Sequence, residues 1–177
     1  MLSDLDFVVS VETDPRNLPF ITPWERTQHE GAVRFPDFRH FIIEAAAAPG
    51  VDLERAGFVI LQGCRNPHGS VELKRIVLQP KGLGHGRAAV RLLKRMAFND
   101  LHAHRFWLDV KALNTRAEGL YQSEGFVEEG RLREAVRVTF ESAADGQRKP
   151  GFDTLIVMSL LDREYHARVA LGLEPPG

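Results

Sequence analysis

Three glycines alternate in the run Lys81-Gly82-Leu83-Gly84-His85-Gly86, where an apolar strand gives way to a long helix. Glycine lacks a Cβ and lets an anion approach the backbone closely. The first N–H groups of a helix have no partner inside it and share the positive end of its dipole. Lys81 and Arg87 add charge at the rim. A pyrophosphate is the natural ligand of such a turn. The Walker loop needs Gly-x-x-x-x-Gly-Lys-Ser/Thr, and no Lys-Ser or Lys-Thr follows these glycines. The dinucleotide fingerprint needs Gly-x-Gly-x-x-Gly, whereas the spacing here is Gly82-x-Gly84-x-Gly86. A flexible turn that needs glycine for its shape alone is the plainer alternative.

The strand before the turn changes phase. Val71 and Leu73 alternate with Glu72 and Lys74, and then Ile76, Val77 and Leu78 run apolar without a break. A slip of phase predicts a β-bulge, which would splay this strand from its parallel neighbour. The gap would leave backbone groups of Ile76–Leu78 open to an amide-bearing ligand, in the manner of an added strand. A fully buried strand end is the competing reading.

The rest of the pattern predicts a mixed α+β fold. Strands are expected at Phe7–Thr13, Arg39–Ala47, Gly57–Gly63 and Val71–Leu78, with a turn at Asn66-Pro67-His68-Gly69. Short helices are expected from Pro15 to Phe20 and from Trp24, with Glu25 in the first turn. Ala89, Leu92, Leu93, Met96, Ala97 and Leu101 have helical spacing within Gly84–Leu101. His104–Val110 then reads as a strand parallel to Val71–Leu78. Asn114 suits an N-cap for a helix over Thr115–Glu124, and Gly125 a left-handed C-terminal cap. Phe126–Val138 and Phe152–Leu160 close the sheet around a polar loop at Ser142–Pro150, and Leu161–Leu171 forms a last helix. The sheet is therefore mostly antiparallel with one splayed parallel pair, flanked by helices.

The 177 residues fit one domain, 1–177. A formal net charge of −1 argues against a nucleic-acid partner. No stretch approaches a membrane span, and the acidic start Met1–Asp6 lacks the pattern of a signal peptide. The single Cys64 excludes an internal disulfide framework, favours a cytoplasmic setting, and reads as a small hydrophobe rather than a nucleophile.

Two blocks carry a resemblance. Lys81-Gly82-Leu83-Gly84-His85-Gly86 resembles the Arg/Gln-x-x-Gly-x-Gly/Ala coenzyme A signature of the GNAT superfamily of N-acetyltransferases, with Lys where that signature often has Arg or Gln. Asn114-Thr115-Arg116-Ala117-Glu118-Gly119-Leu120-Tyr121-Gln122-Ser123-Glu124-Gly125-Phe126 resembles its Asn-x-x-Ala-x-x-Leu-Tyr-x-x-x-Gly-Phe block. Phe126–Ala135 and Asp153–Leu161 are similar to the RimJ/RimL-type branch, so the likeness spans roughly residues 55–165 and implies an acetyl-CoA-binding core there, with residues 1–54 as the acceptor-side part. It implies a GNAT-like splayed sheet that binds acetyl-CoA and no metal. The implied acceptor is an amine: a protein N-terminus, a polyamine or a small amine. Ile76, Val77, Leu78, Lys81, Gly82, Leu83, Gly84, His85, Gly86, Arg87, Asn114, Ala117 and Tyr121 would bind the cofactor.

The chemistry requires a neutral amine held in line with a thioester, and a proton for the leaving sulfur. Tyr121 is the candidate acid, and by resemblance the family's tyrosine; a helix-face aromatic packed on the sheet is its alternative role. Asp109 and Glu72 compete as base, and either also reads as a solvated strand charge. Asn114 both caps its helix and is placed to bond the pantetheine arm. Phe20 and Trp24 either line the acceptor pocket or pack the N-terminal helices. His102 and His104 are explained by a strand entry. A non-catalytic acyl-CoA sensor and a nucleotide-binding protein are the rival functions. The exposed edge of the late strands is a candidate homodimer contact.

Overall fold

The computed structural model describes residues 2–46, 50–79, 83–141 and 148–174. Six strands form one sheet: β1 (Arg39–Ala45), β2 (Glu54–Gln62), β3 (Ser70–Leu78), β4 (Arg105–Lys111), β5 (Val127–Glu141) and β6 (Arg148–Leu161). Their order is β1-β2-β3-β4-β6-β5, and only β3 and β4 run parallel. The helices are α1 (Leu5–Glu12), α2 (Arg26–Arg34), α3 (His85–Arg95), α4 (Thr115–Ser123) and α5 (Asp162–Ala170). The mixed fold expected from the sequence is the one observed.

The bulge lies where the phase slips. Ile60 pairs with Arg75 while Leu61 pairs with Leu73, so Lys74 is the extra residue in β3. The parallel ladder covers only Ser70–Glu72 against Arg105–Trp107. Beyond it β3 and β4 part. Alternation along β2 then sorts the core into two layers. Val59 and Leu61 join Val71, Leu73, Val90, Leu93, Phe106 and Leu108 on the face under α3 and α4. Phe58 and Ile60 join Val8, Val11 and Val77 on the face under α1.

Three expected elements are corrected. Phe7–Thr13 is not a strand but lies mostly in α1. Its β-branched valines suggest a strand, but Leu5, Val8, Val11 and Glu12 are the buried positions, a helical repeat set by packing on β2. Pro15–Phe20 is a series of turns, fixed by Asn17 N–H donating to Asp14 O (2.8 Å) and Phe20 N–H to Asn17 O (2.9 Å). The helix expected over Gly84–Leu101 ends as α at Arg95 and continues as one π-helical turn, Met96–Asp100, in which Leu101 N–H reaches Met96 O. Leu92 is exposed rather than buried. The closing strands run longer than expected, and residues 142–147 of the expected Ser142–Pro150 loop lie outside the described residues.

A buried carboxylate organises the N-terminal layer. Glu12 is fully buried and accepts from His29 Nε2 (3.0 Å), Trp24 N–H (2.9 Å) and the Arg75 guanidinium. Burial alone would raise its pKa, but His29, Arg75 and Trp24 hold it below the usual value. His40 stands beside this group, its ring 6.1 Å from that of His29. Burial, and then the neighbouring His29, push the His40 imidazole down to about 4.

A folded pKa below the unfolded value of 6.5 means that protonating His40 opposes folding. Its contribution is complete above about pH 6.5 and lost as pH falls toward about 4. The Glu12 contribution is present above the ordinary carboxylate value of 4.5 and lost only below it. The urea midpoint is therefore expected to be level near pH 7 and to decline from pH 6.5 downward. His40→Asn should remove the upper part of that decline. A wild-type midpoint unchanged between pH 7 and 4.5 would contradict the assignment.

Candidate active site

The parting of β3 and β4 opens a cleft of about 710 Å³. Ile76, Val77 and Leu78 of β3 form one wall, and residues 113–117 with Leu120 and Tyr121 of α4 form the other. Leu83–Arg87 lie at one mouth, at the start of α3, and Asn17, Phe20 and Ile21 at the N-terminal side. The described positions expected to bind the cofactor thus meet around one space. Lys81 and Gly82 lie outside the described residues.

Gly84 takes φ +81°, the left-handed region, at the N-cap of α3, and its missing side chain faces open space. Its carbonyl accepts from Arg87 N–H (3.0 Å) and Ala88 N–H (3.3 Å). Among the described residues His85 Nδ1 is buried in this wall without a partner, a stranded polar atom that fits a site built for a polar group. Open space, helix N–H groups and a stranded nitrogen together suit a phosphate-bearing cofactor.

A second buried carboxylate fixes this mouth. Glu124 ends α4 fully buried and binds Arg87 (2.5 Å), Arg91 (3.0 Å) and Lys94 (3.0 Å), all from α3. Lys94, itself fully buried, also donates to Glu174 (2.6 Å). Burial would raise the Glu124 pKa, but Arg91, Lys94 and Arg87 hold it low. Gly125, at φ +95°, then turns the chain into Phe126 and β5, as expected.

Asn114 Oδ1 accepts from Ala117 N–H (3.3 Å), so the expected cap forms within the cleft wall. Tyr121 also lines the cleft, its ring 5.7 Å from Phe126. Burial, and then the Asp109 charge, raise its pKa, so the phenol keeps its proton. Asp109 is exposed on β4 on the side opposite Phe106, Leu108 and Val110. Glu72 is buried and bound by Lys74 (3.0 Å); burial first, and Asp109 among the lesser causes, raise its pKa. Neither carboxylate forms part of the cleft wall.

Phe20 lines the cleft but Trp24 does not. Trp24 is packed inward, its ring 5.2 Å from the Arg75 guanidinium carbon. Cys64 is half-buried against the core, and burial raises its thiol, in keeping with a packing role. Sequence reasoning misses Asn17 and Ile21, whose Pro-punctuated segment carries no periodic signal. It also misses Leu113, Thr115 and Arg116, which flank Asn114 and are within reach of the motif.

Among the described residues no helix is long and apolar enough to cross a membrane. A spermidine N-acetyltransferase from Vibrio cholerae, solved with CoA and spermine, superposes with a TM-score of 0.73 at 24% identity, covering 93% of each chain. Mutant forms of the spermidine/spermine N-acetyltransferase of the same organism give a TM-score of 0.74 at 23% identity, covering 96% of this chain and 94% of theirs. At such identities the likeness speaks for the fold. The profile of the acetyltransferase (GNAT) family matches residues 7–126, from α1 through the Asn114–Phe126 block. That span takes in β3, the start of α3 and α4, which line the cleft together with Asn17, Phe20 and Ile21, and the chain belongs to the acetyltransferase (GNAT) family.

Proposed function

We propose that the cleft takes acetyl-CoA with its pyrophosphate on the turn from Lys81 to Arg87 and its pantetheine arm along Ile76–Leu78. The acetyl group then passes directly to a primary amine that enters from the side of residues 1–54. The observation that carries this reading is the continuity of one space from the helix start at Gly84 past the unpaired end of β3 to Tyr121. The bound thioester supplies an activated acetyl carbonyl.

The residues divide the work. N–H groups of the first turn of α3 face the phosphates, with Arg87 and Lys81 as cations beside them. Backbone groups of Ile76–Leu78 pair with the pantetheine amides where β4 has moved away. Asn114 and Ala117 hold the opposite wall. Tyr121, held protonated, donates toward the sulfur as the carbon–sulfur bond breaks and the new amide bond forms. Asp109 takes the amine proton through water, and its electrostatic reach to Tyr121 supports that pairing. Glu72, already engaged by Lys74, stands second as base.

For the acceptor, the Vibrio cholerae neighbours, named as spermidine acetyltransferases, support a polyamine. The Phe126–Ala135 and Asp153–Leu161 segments support the RimJ/RimL-type branch and with it a protein N-terminus. A panel of polyamines, N-terminal peptides and small amine antibiotics separates these. We also place a homodimer contact at β5, the edge strand, where Val127 and Leu132 are exposed.

Thiol release from acetyl-CoA across that panel is the test of activity. Tyr121→Phe is expected to lower kcat about 100-fold with acetyl-CoA affinity within about threefold of wild type. Unchanged turnover would remove Tyr121 as the acid. Gly84→Val forces a β-branched residue into the left-handed region, a cost of about 1–2 kcal/mol, and should weaken acetyl-CoA binding about tenfold by calorimetry. Wild-type affinity in that variant would separate the turn from the cofactor.

A further inference from the structure

Asn17 stands out among the residues that line the cleft. It is 2% exposed, yet it contributes to the cleft wall. Its Nδ2 donates to Val11 O at 2.8 Å. A carbonyl can only accept, so this bond fixes the amide flip and leaves Oδ1 as the group turned elsewhere. Among the described residues Oδ1 has no hydrogen-bond partner, and it is not one of the sealed polar atoms. A nearly buried amide with one atom anchored and the other unspent is poised for a donor arriving in the cleft.

The surroundings hold it rigidly. Asn17 N–H donates to Asp14 O, and its carbonyl accepts from Phe20 (2.9 Å) and Ile21 (3.2 Å) N–H. Lys111 Nζ, at the far end of β4, donates to Pro19 O at 3.3 Å, tying this segment across the gap between β3 and β4. Val11, the anchor, packs with Phe58, Ile60 and Val77, on the face opposite α3 and the phosphate turn. Asn17 therefore approaches the cleft from the acceptor side.

We infer that Asn17 Oδ1 accepts a hydrogen bond from the attacking amine and so orients its lone pair toward the acetyl carbon. This rests on the acetyltransferase reading and adds an acceptor-binding residue to it. An amide oxygen is well suited to this role, because it accepts from a neutral amine without the charge that would hold the amine protonated.

Steady-state kinetics with the panel's best amine test it through two variants. Asn17→Ala removes the oxygen and should raise the amine KM about tenfold, leaving the acetyl-CoA KM within about threefold. Asn17→Asp keeps an oxygen in place but cannot donate to Val11 O. It should restore the amine KM to within about threefold of wild type, but its charge holds the amine protonated, so kcat at pH 7 should fall about tenfold, and the Tm should fall with the lost bond. An unchanged amine KM in Asn17→Ala overturns the inference. So does an equal rise in the acetyl-CoA KM, or an Asn17→Asp amine KM no better than that of Asn17→Ala. If Asn17→Ala does not fold, Asn17→Ser, whose hydroxyl ends one bond short of the amide oxygen, takes its place with the same expected rise. A wild-type protein that releases no thiol with any amine overturns the acetyltransferase reading itself, a result separate from these.

Discussion

One extra residue in one strand shapes the site. Lys74 bulges out of β3 and shifts the phase of everything after it. The parallel ladder has stopped at Glu72 and Trp107, and among the described residues Ile76–Leu78 continue with no partner on the β4 side. A sheet that parts in its middle exposes unpaired backbone, ordinarily a liability. Here that opening becomes the cleft, and we propose its unpaired edge as the surface for an amide-bearing arm.

Such an opening needs its sides fixed, and two buried carboxylates do this. Glu12 holds α1, α2, the segment leading to Trp24 and Arg75 of β3 on one face. Glu124 holds the start of α3 against the end of α4 on the other. Removing one partner from such a buried group leaves uncompensated charge and typically costs about 3–5 kcal/mol. The two clusters are far apart in sequence but alike in chemistry, each a buried carboxylate ringed by basic side chains. Glu124 holds Arg87 at the start of α3, and Asn17 hangs from Val11, next to Glu12 in α1.

Much of this is legible in the residues. The phase slip after Leu73 announces the bulge because side-chain alternation is a local property of the strand. The Asn114 cap and the Gly125 turn are local as well, and the structure holds both. What escapes is set by tertiary packing. Phe7–Thr13 carries strand-forming valines, but its burial follows a helical repeat because it packs on β2. Trp24 has the character of a pocket residue and is drawn inward by Glu12 and Arg75, which lie far from it in sequence. Asn17 sits in a run of turns with no period at all, so nothing in its neighbours marks its contact with the cleft. Glu72 and Asp109 are legible as strand carboxylates, but their separate environments, an ion pair with Lys74 and an exposed position, appear only in the fold.

A coenzyme A site in the parted sheet is tested most directly by the melting temperature with acetyl-CoA, ATP or NAD, each in the same excess. Acetyl-CoA at about 100 times its Kd should add about 2.7 kcal/mol of stability, a rise of several degrees, while ATP and NAD leave the Tm near that of the free protein. No rise with acetyl-CoA, or an equal rise with ATP or NAD, would contradict the account.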